Sequence, residues 1–577
     1  MPLLKKYWPH ASAIFSGILL ALCFPHYDFA NLIWVWQAPL LAALWFSNPV
    51  NPDTPRWRYG FFLGYLAGVS FFVLNVSWIT EISKVAGTIW SGVAALFCMT
   101  VYLAIYFALF GAFAATVGRW IISESTGKGK AALFDQSIAV LKAAFLNGSV
   151  WCGLEWLRGI AFTGYGWNGL GVALENQLLL VQFADVIGIT GYGFIMMFAG
   201  VIGFATIVRL VHEVRDRQRL KPHLDFALGV TMIIGLFLYG VGKVNFRPQE
   251  SIDVKARIMQ MNIPLEDKWS EETALRQKIV FDYRDLTRVF VETAQPDLVL
   301  WPETSLPGHF SFKWVQEFLN DQVLKGDDFY LLAGLEETNL QATEIYNTIT
   351  LMKGSTESYQ MHKKVHLVPL GEYIPFRGKL PFFEWIAGGI IEADFVPGDS
   401  HEPLTMEKDG HDIGIVPLIC FEDTVPRHAR QFIRPGPQII VNVTNDGWFN
   451  DSAEVEQHFN NAIFRCIELR RPMIRAANSG ISAFIDSRGS LYEHDSQDTY
   501  PRILRDEATG STRIRGSLPG TVEVDLNPPM TIYARMGDTF SVVMGGLSLL
   551  ATALYLLRSR RSRRNHLINA RPSSSGA

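Results

Sequence analysis

The chain has 577 residues, of which 49% are hydrophobic and only 18% charged, and its net charge is −4 at pH 7. That is too long for one ordinary domain and too poor in charge for a soluble one. No basic stripe interleaved with aromatics points to nucleic acid, and Cys23, Cys98, Cys152, Cys420 and Cys466 lack the spacing of a disulfide framework or a zinc site.

Apolar runs occupy about 11–24, 32–46, 59–79, 89–117, 144–157, 187–208 and 226–241, and another follows at 540–557. Runs of roughly 20 residues can cross a bilayer as helices, and the shorter ones need their flanks. Pro25–His26 and the apolar run directly after it argue that the first run is an uncleaved span rather than a signal peptide. Eight spans with a cytoplasmic N-terminus put Lys5, Lys6, Arg56, Arg58, Arg119, Lys128, Lys130, Arg209, Arg215, Arg217, Arg219 and Lys221 on one side. The tail residues Arg558, Arg560, Arg561, Arg563 and Arg564 join them, while the opposite loops hold little beyond Lys84 and Arg158. This is the positive-inside pattern. It divides the chain into a transmembrane domain at 1–247, an extracytoplasmic insert at 251–527, a last span at 538–557 and a basic cytoplasmic tail at 558–577. Within the fifth run, Glu155 is costly in hydrocarbon unless paired, and Arg158 one turn on is its candidate partner. In the loop that follows, Tyr165 and Trp167 suit the headgroup level.

From Val254 the period changes. Strands are expected at 254–261, 298–301, 329–335, 346–352, 413–420, 439–443, 473–476 and 482–485. Helices are expected at 272–293 and at 455–469, where Phe459, Ile463 and Ile467 recur every four residues. Such alternation implies a layered α/β domain. Three of its segments deliver ionisable groups at strand ends: Trp301–Pro302–Glu303, His362–Lys363–Lys364 and Ile419–Cys420–Phe421–Glu422. A thiol needs a base to attack a carbonyl, and the oxyanion needs a cation or donors. Glutamate, lysine and cysteine supply those parts, although a lone cysteine ending an apolar strand is more often packed and inert.

Those three segments are similar to the signature positions of the nitrilase superfamily. The runs from Lys364 to Pro375, Asn445 to Phe449 and Arg471 to Gly480, with Gln457–His458, resemble its apolipoprotein N-acyltransferase branch. So do Phe24–Pro25–His26–Tyr27–Asp28, Glu155–Trp156–Leu157–Arg158–Gly159 and the run from Thr531 to Asp538. The resemblance implies a polytopic helical membrane domain joined to an α-β-β-α sandwich. It implies Glu303 as general base, Lys364 as oxyanion stabiliser and Cys420 as nucleophile. It further implies Glu372 as a second essential glutamate, Glu422 as the acid after the nucleophile and Trp269 as the aromatic of a lid. The implied activity transfers an acyl chain from a phospholipid donor to a diacylglyceryl apolipoprotein acceptor, with no metal or cofactor. The implied protein is a monomer in the bacterial inner membrane, its catalytic domain on the periplasmic side. Phe421 stands where the family often has tyrosine, and Gly166 where it often has proline. From the triad alone, a membrane-tethered amidase using water as acceptor and a non-catalytic membrane binding protein remain open.

Overall fold

The computed structural model describes residues 2–85, 88–121, 130–217, 221–268, 270, 272–339, 341–387, 391, 393–449, 452–491 and 502–569. The apolar runs form α1 (Pro2–Ala21), α2 (Gln37–Phe46), α3 (Arg56–Asn75), α4 (Ile89–Ala114), α5 (Lys130–Ile160), α6 (Ala184–Arg215) and α7 (Leu224–Val244). Six described helices are long and apolar enough to cross a membrane: α3 to α7 and the last helix of the chain. The second run is shorter, with Ala30–Phe46 folding as one turn of 3-10 helix followed by α2.

Arginine side chains mark one end of this bundle. The Arg56 guanidinium donates to the carbonyls of Leu44 at 2.6 Å, Ser47 at 3.2 Å and Ala115 at 2.9 Å. Arg119 donates to Trp45 at 3.0 Å. The C-terminal ends of α2 and α4 therefore meet the start of α3 at one level. Along α3, Gly60, Gly64 and Gly68 recur every four residues against Gly111, Phe107 and Ala104 of α4, where any Cβ would strike the neighbouring helix. Small residues in that row let two membrane helices touch backbone to backbone. α6 is broken at Gly188, whose φ of 68° and ψ of 164° are open to glycine alone. A Cβ there would sit 2.5 Å from the Tyr533 ring.

The soluble part begins with β1 (Ser251–Gln260), the short α8 (Leu265–Lys268), α9 (Thr273–Ala294) and β2 (Leu298–Trp301). Then come α10 (Lys313–Phe318), β3 (Tyr330–Thr338), β4 (Ile345–Lys353), β5 (Ser355–Lys363), β6 (Leu404–Lys408), β7 (His411–Ile419) and β8 (Gln438–Thr444). α11 (Ala453–Leu469), β9 (Met473–Ala477), β10 (Ala483–Ile485) and β11 (Gly516–Asp525) complete it, and α12 (Thr539–Asn569) returns to the bundle. One sheet runs β11-β1-β2-β3-β4-β5 and the other β10-β9-β8-β7-β6.

Alternation along the strands builds the layers. Leu298, Leu300, Leu332 and Ile349 of the first sheet pack on Ile413, Ile415, Ile439 and Val441 of the second. The intervening Val299, Trp301 and Leu331 pack on Ile279 and Tyr283 of α9 and Val315 of α10. On the second sheet, Val416, Leu418 and Ile440 pack on Phe459, Ile463 and Ile467 of α11, within one apolar cluster that continues into the membrane helices. The sandwich is thus α-β-β-α, and its second helical layer is also a wall of the bundle.

Candidate active site

The ends of β2, β5 and β7 converge where the two sheets meet. Cys420 follows β7 directly with φ +52°, so the chain turns sharply into the 3-10 turn Cys420–Thr424. Its carbonyl accepts the Asn442 amide at 3.0 Å. Glu303 stands two residues beyond β2, and Lys364 directly after β5.

These side chains form one buried cluster. Lys364 Nζ lies 2.8 Å from Glu372 Oε1 and 3.9 Å from Glu303 Oε1. The Asn347 amide on β4 donates to Glu303 at 2.7 Å and to Glu372 at 3.1 Å, holding two like charges side by side. The other oxygen of Glu372 accepts the Val368 N–H at 2.8 Å. Lys363, by contrast, stacks its ammonium over the Tyr346 ring and points away from the cluster.

Burial pushes the Glu303 carboxyl up, with Lys364 pulling it down and Glu372 raising it again. Burial opposes the charge of Lys364, yet Glu372, Cys420 and Glu303 outweigh it and hold the ammonium above the ordinary lysine value. Burial and the Glu303 carboxylate push the Cys420 thiol well up, with Lys364 acting the other way. The thiol therefore rests protonated, and any attack by it would need a neighbouring group to take its proton.

Glu422 is fully buried and ties the lysine loop to the cysteine turn. One of its oxygens accepts the N–H groups of Val365 at 2.9 Å and His366 at 2.8 Å, and the other accepts that of Ile419 at 2.8 Å. Burial would raise its carboxyl, but His428, 3.1 Å away, together with His362 and Lys364 holds it well below the usual carboxylate range. The Phe421 ring stacks between His366 and Trp167, with planes 21° and 10° from theirs. Trp269 lies outside the described residues.

Trp167 comes from the bundle. Its indole N–H donates to Gln457 Oε1 at 2.8 Å, as does that of Trp78 at 3.1 Å. Gln457 Nε2 in turn donates to the carbonyls of Pro25 at 3.0 Å and Asn75 at 3.1 Å. One side chain on α11 thus gathers the ends of α1, α3 and α5 and uses all four of its hydrogen-bonding positions. The same loop separates Glu155 from Arg158, which do not pair as their spacing suggests. Glu155 accepts the Leu170 N–H at 2.9 Å, and Arg158 donates to the Trp167 carbonyl at 3.1 Å.

Behind the cysteine turn lies a second buried cluster, which local sequence signals did not disclose. The His458 ring contacts Asp446 at 3.0 Å and Asp423 at 2.9 Å through its two nitrogens. Burial disfavours its charge, but the two carboxylates push the imidazole up to about 10. Arg475 pairs with both aspartates. Asp446, Glu454 and His458 have the donor set of a metal site. However, the Arg475 guanidinium lies 3.3 Å from Asp446 and 3.1 Å from His458, and already supplies the positive charge a cation would bring.

Residues 16–202 match the family model of the apolipoprotein N-acyltransferase N-terminal domain, and residues 255–500 match that of carbon-nitrogen hydrolases. A protein of Geobacter metallireducens named apolipoprotein N-acyltransferase is 28% identical over 559 residues, which is 95% of each chain. One of Rhizobium rhizogenes with the same name is 30% identical over 503 residues, covering 83% of this chain and 86% of its own. Among solved structures, the CN-hydrolase superfamily protein XC1258 of Xanthomonas campestris aligns at 17% identity and a TM-score of 0.32, over 47% of this chain and 90% of that one.

Proposed function

Because this chain belongs to the apolipoprotein N-acyltransferase family, we propose that it moves an acyl chain from a membrane phospholipid to the N-terminal α-amine of a diacylglyceryl-cysteine through a thioester on Cys420. The observation that carries this reading is the single cluster of Glu303, Lys364, Glu372 and Cys420 where the two sheets meet.

In the first half-reaction, Glu303 takes the thiol proton as Sγ bonds to the ester carbonyl carbon. Negative charge grows on the carbonyl oxygen beside the Lys364 ammonium, which Glu372 already holds in place. Collapse breaks the ester C–O bond, and the lysophospholipid alkoxide leaves with the proton that Glu303 carries. In the second half-reaction, a neutral amine attacks the thioester carbonyl and gives its proton to Glu303. The C–S bond breaks, the amide forms, and the thiolate recovers a proton from Glu303.

Both substrates are lipids, and the geometry supports their arrival from the bilayer: the bundle reaches the cysteine turn through Trp167. Arg56 at the start of α3 and Arg119 after α4 lie at the other level. That arrangement favours a catalytic half outside the cytoplasm; the proposed protein is a monomer of the inner membrane. The test is incubation of the purified protein with phospholipid and a diacylated lipopeptide, followed by mass spectrometry. An N-acylated lipopeptide with lysophospholipid in equal amount is expected; free fatty acid without acylated peptide would mean water is the acceptor.

A further inference from the structure

Lys268, the last residue of α8, reaches into the base side of the cluster. Its Nζ donates to the carbonyl oxygen of Glu303 and to Oγ1 of Thr304, both at 3.0 Å. Thr304 has φ +48°, a left-handed conformation that a β-branched residue strongly disfavours. The turn that aims Glu303 therefore depends on support from outside itself, and Lys268 provides two hydrogen bonds to it.

The charge balance points the same way. Glu303 faces Lys364 on the strand-end loop, Glu372 on the following loop, Cys420 on the β7 turn, Glu336 on β3 and Lys268 on α8. Lys268 faces Glu303 and Glu336 of β3. Glu303, Glu336, Glu372 and Glu422 thus face two ammonium groups. Lys364 is committed to Glu372 at 2.8 Å and stands 3.9 Å from Glu303. Lys268 is the remaining cation beside Glu303 among the described residues. Burial lowers its ammonium to about 8, with Glu303 and Glu336 opposing that shift, so it is charged at neutral pH.

We infer that Lys268 is a positioning residue for Glu303: it clamps the turn at Glu303 and Thr304 and supplies the second cation that keeps the carboxylate ionised and aimed at Cys420. This rests on Glu303 acting as the base. Removing a cation raises a carboxyl, so the loss should appear at the acid side of the pH profile.

The experiment is single-turnover thioester formation from phospholipid, measured across pH in the parent, K268M, K268Q, K268R and E303Q. In K268M the acid limb should move up by about 1 pH unit. The rate should fall about tenfold below neutral pH and approach the parent's as pH rises, with the KM for phospholipid unchanged. K268R should restore the limb. Should K268M fail to fold, K268Q keeps a hydrogen-bond donor without the charge and should show the same displacement. An unmoved limb, or a loss equal at every pH, overturns the inference. E303Q separates this from failure of the underlying reading: a parental rate in E303Q removes Glu303 as the base. A slow E303Q beside an unmoved limb in the Lys268 variants removes only the role of Lys268.

Discussion

Glu372 accepts the Lys364 ammonium at 2.8 Å and the Asn347 amide at 3.1 Å on the same carboxylate oxygen, so the cation is fixed before any substrate arrives. A cation already in place need not reorganise as negative charge develops. In Lys364→Met, thioester formation should fall by about 10²–10³-fold, with no recovery in alkaline buffer. A near-parental single-turnover rate would remove Lys364 from the oxyanion position.

Cys420 and Cys466 are both in the catalytic half, and their settings differ. Burial pushes both thiols well up, but Cys420 is part-exposed and faces Glu303 and Lys364, whereas Cys466 is buried in α11 and has neither beside it. Supplied with phospholipid alone, Cys420→Ser should accumulate no hydroxylamine-labile acyl adduct, and Cys466→Ser should accumulate as much as the parent. An adduct mapped to Cys466 would overturn the assignment.

Gln457 bonds two indoles and two carbonyls from the bundle. Gln457→Leu strands four buried groups, each costing about 1–3 kcal/mol when left unpaired. Even if water reaches some of them, the loss should be at least about 2 kcal/mol, read as a lower Tm in detergent. Unchanged melting would show that the bundle and sandwich are held together elsewhere.

His458 titrates in a direction that can be checked. Its imidazole is pushed up to about 10 from an ordinary 6.5. A raised value means its contribution to stability is complete below the ordinary value and is lost as pH rises through about 10. The parent's Tm should fall between those limits, and His458→Gln, already less stable, should vary less over the same interval. Equal slopes would mean that the ring is uncharged in the folded protein.

The sidedness can be read with a fluorescent protein that folds only in the cytoplasm. Fused after Arg217 it should glow, and fused after Asn527 it should stay dark. Fluorescence at Asn527 would place the cysteine on the wrong side of the membrane for lipoprotein substrates.

The strands whose two faces are both covered were legible in the sequence, because Leu298–Trp301 and His411–Ile419 are nearly continuous apolar runs. β5 escaped notice because it is an edge strand whose middle residues face solvent and are polar. β11 escaped because Pro519 and Gly520 interrupt its alternation. Glu303, Lys364, Glu372 and Cys420 could be nominated from motifs. Asn347 could not, since a single polar residue inside an apolar strand gives no local sign that Glu303 and Glu372 lie beside it. Helical spacing suggested a Glu155–Arg158 pair, but the loop around Trp167 and Leu170 offers both side chains backbone partners instead.

α11 has one face on the second sheet and the other on the helices of the bundle. Beyond the break in α6, the Ile189 N–H binds Glu468 of α11 at 2.7 Å. An excised fragment carrying only the sandwich would turn that second face, with its buried Phe464 and Glu468, out to water. Soluble expression of the catalytic half should therefore give aggregates rather than a working hydrolase. Evolutionary exchange of this sandwich for that of a free-standing amidase would fail for the same reason unless the entire outer surface of α11 were rewritten with it.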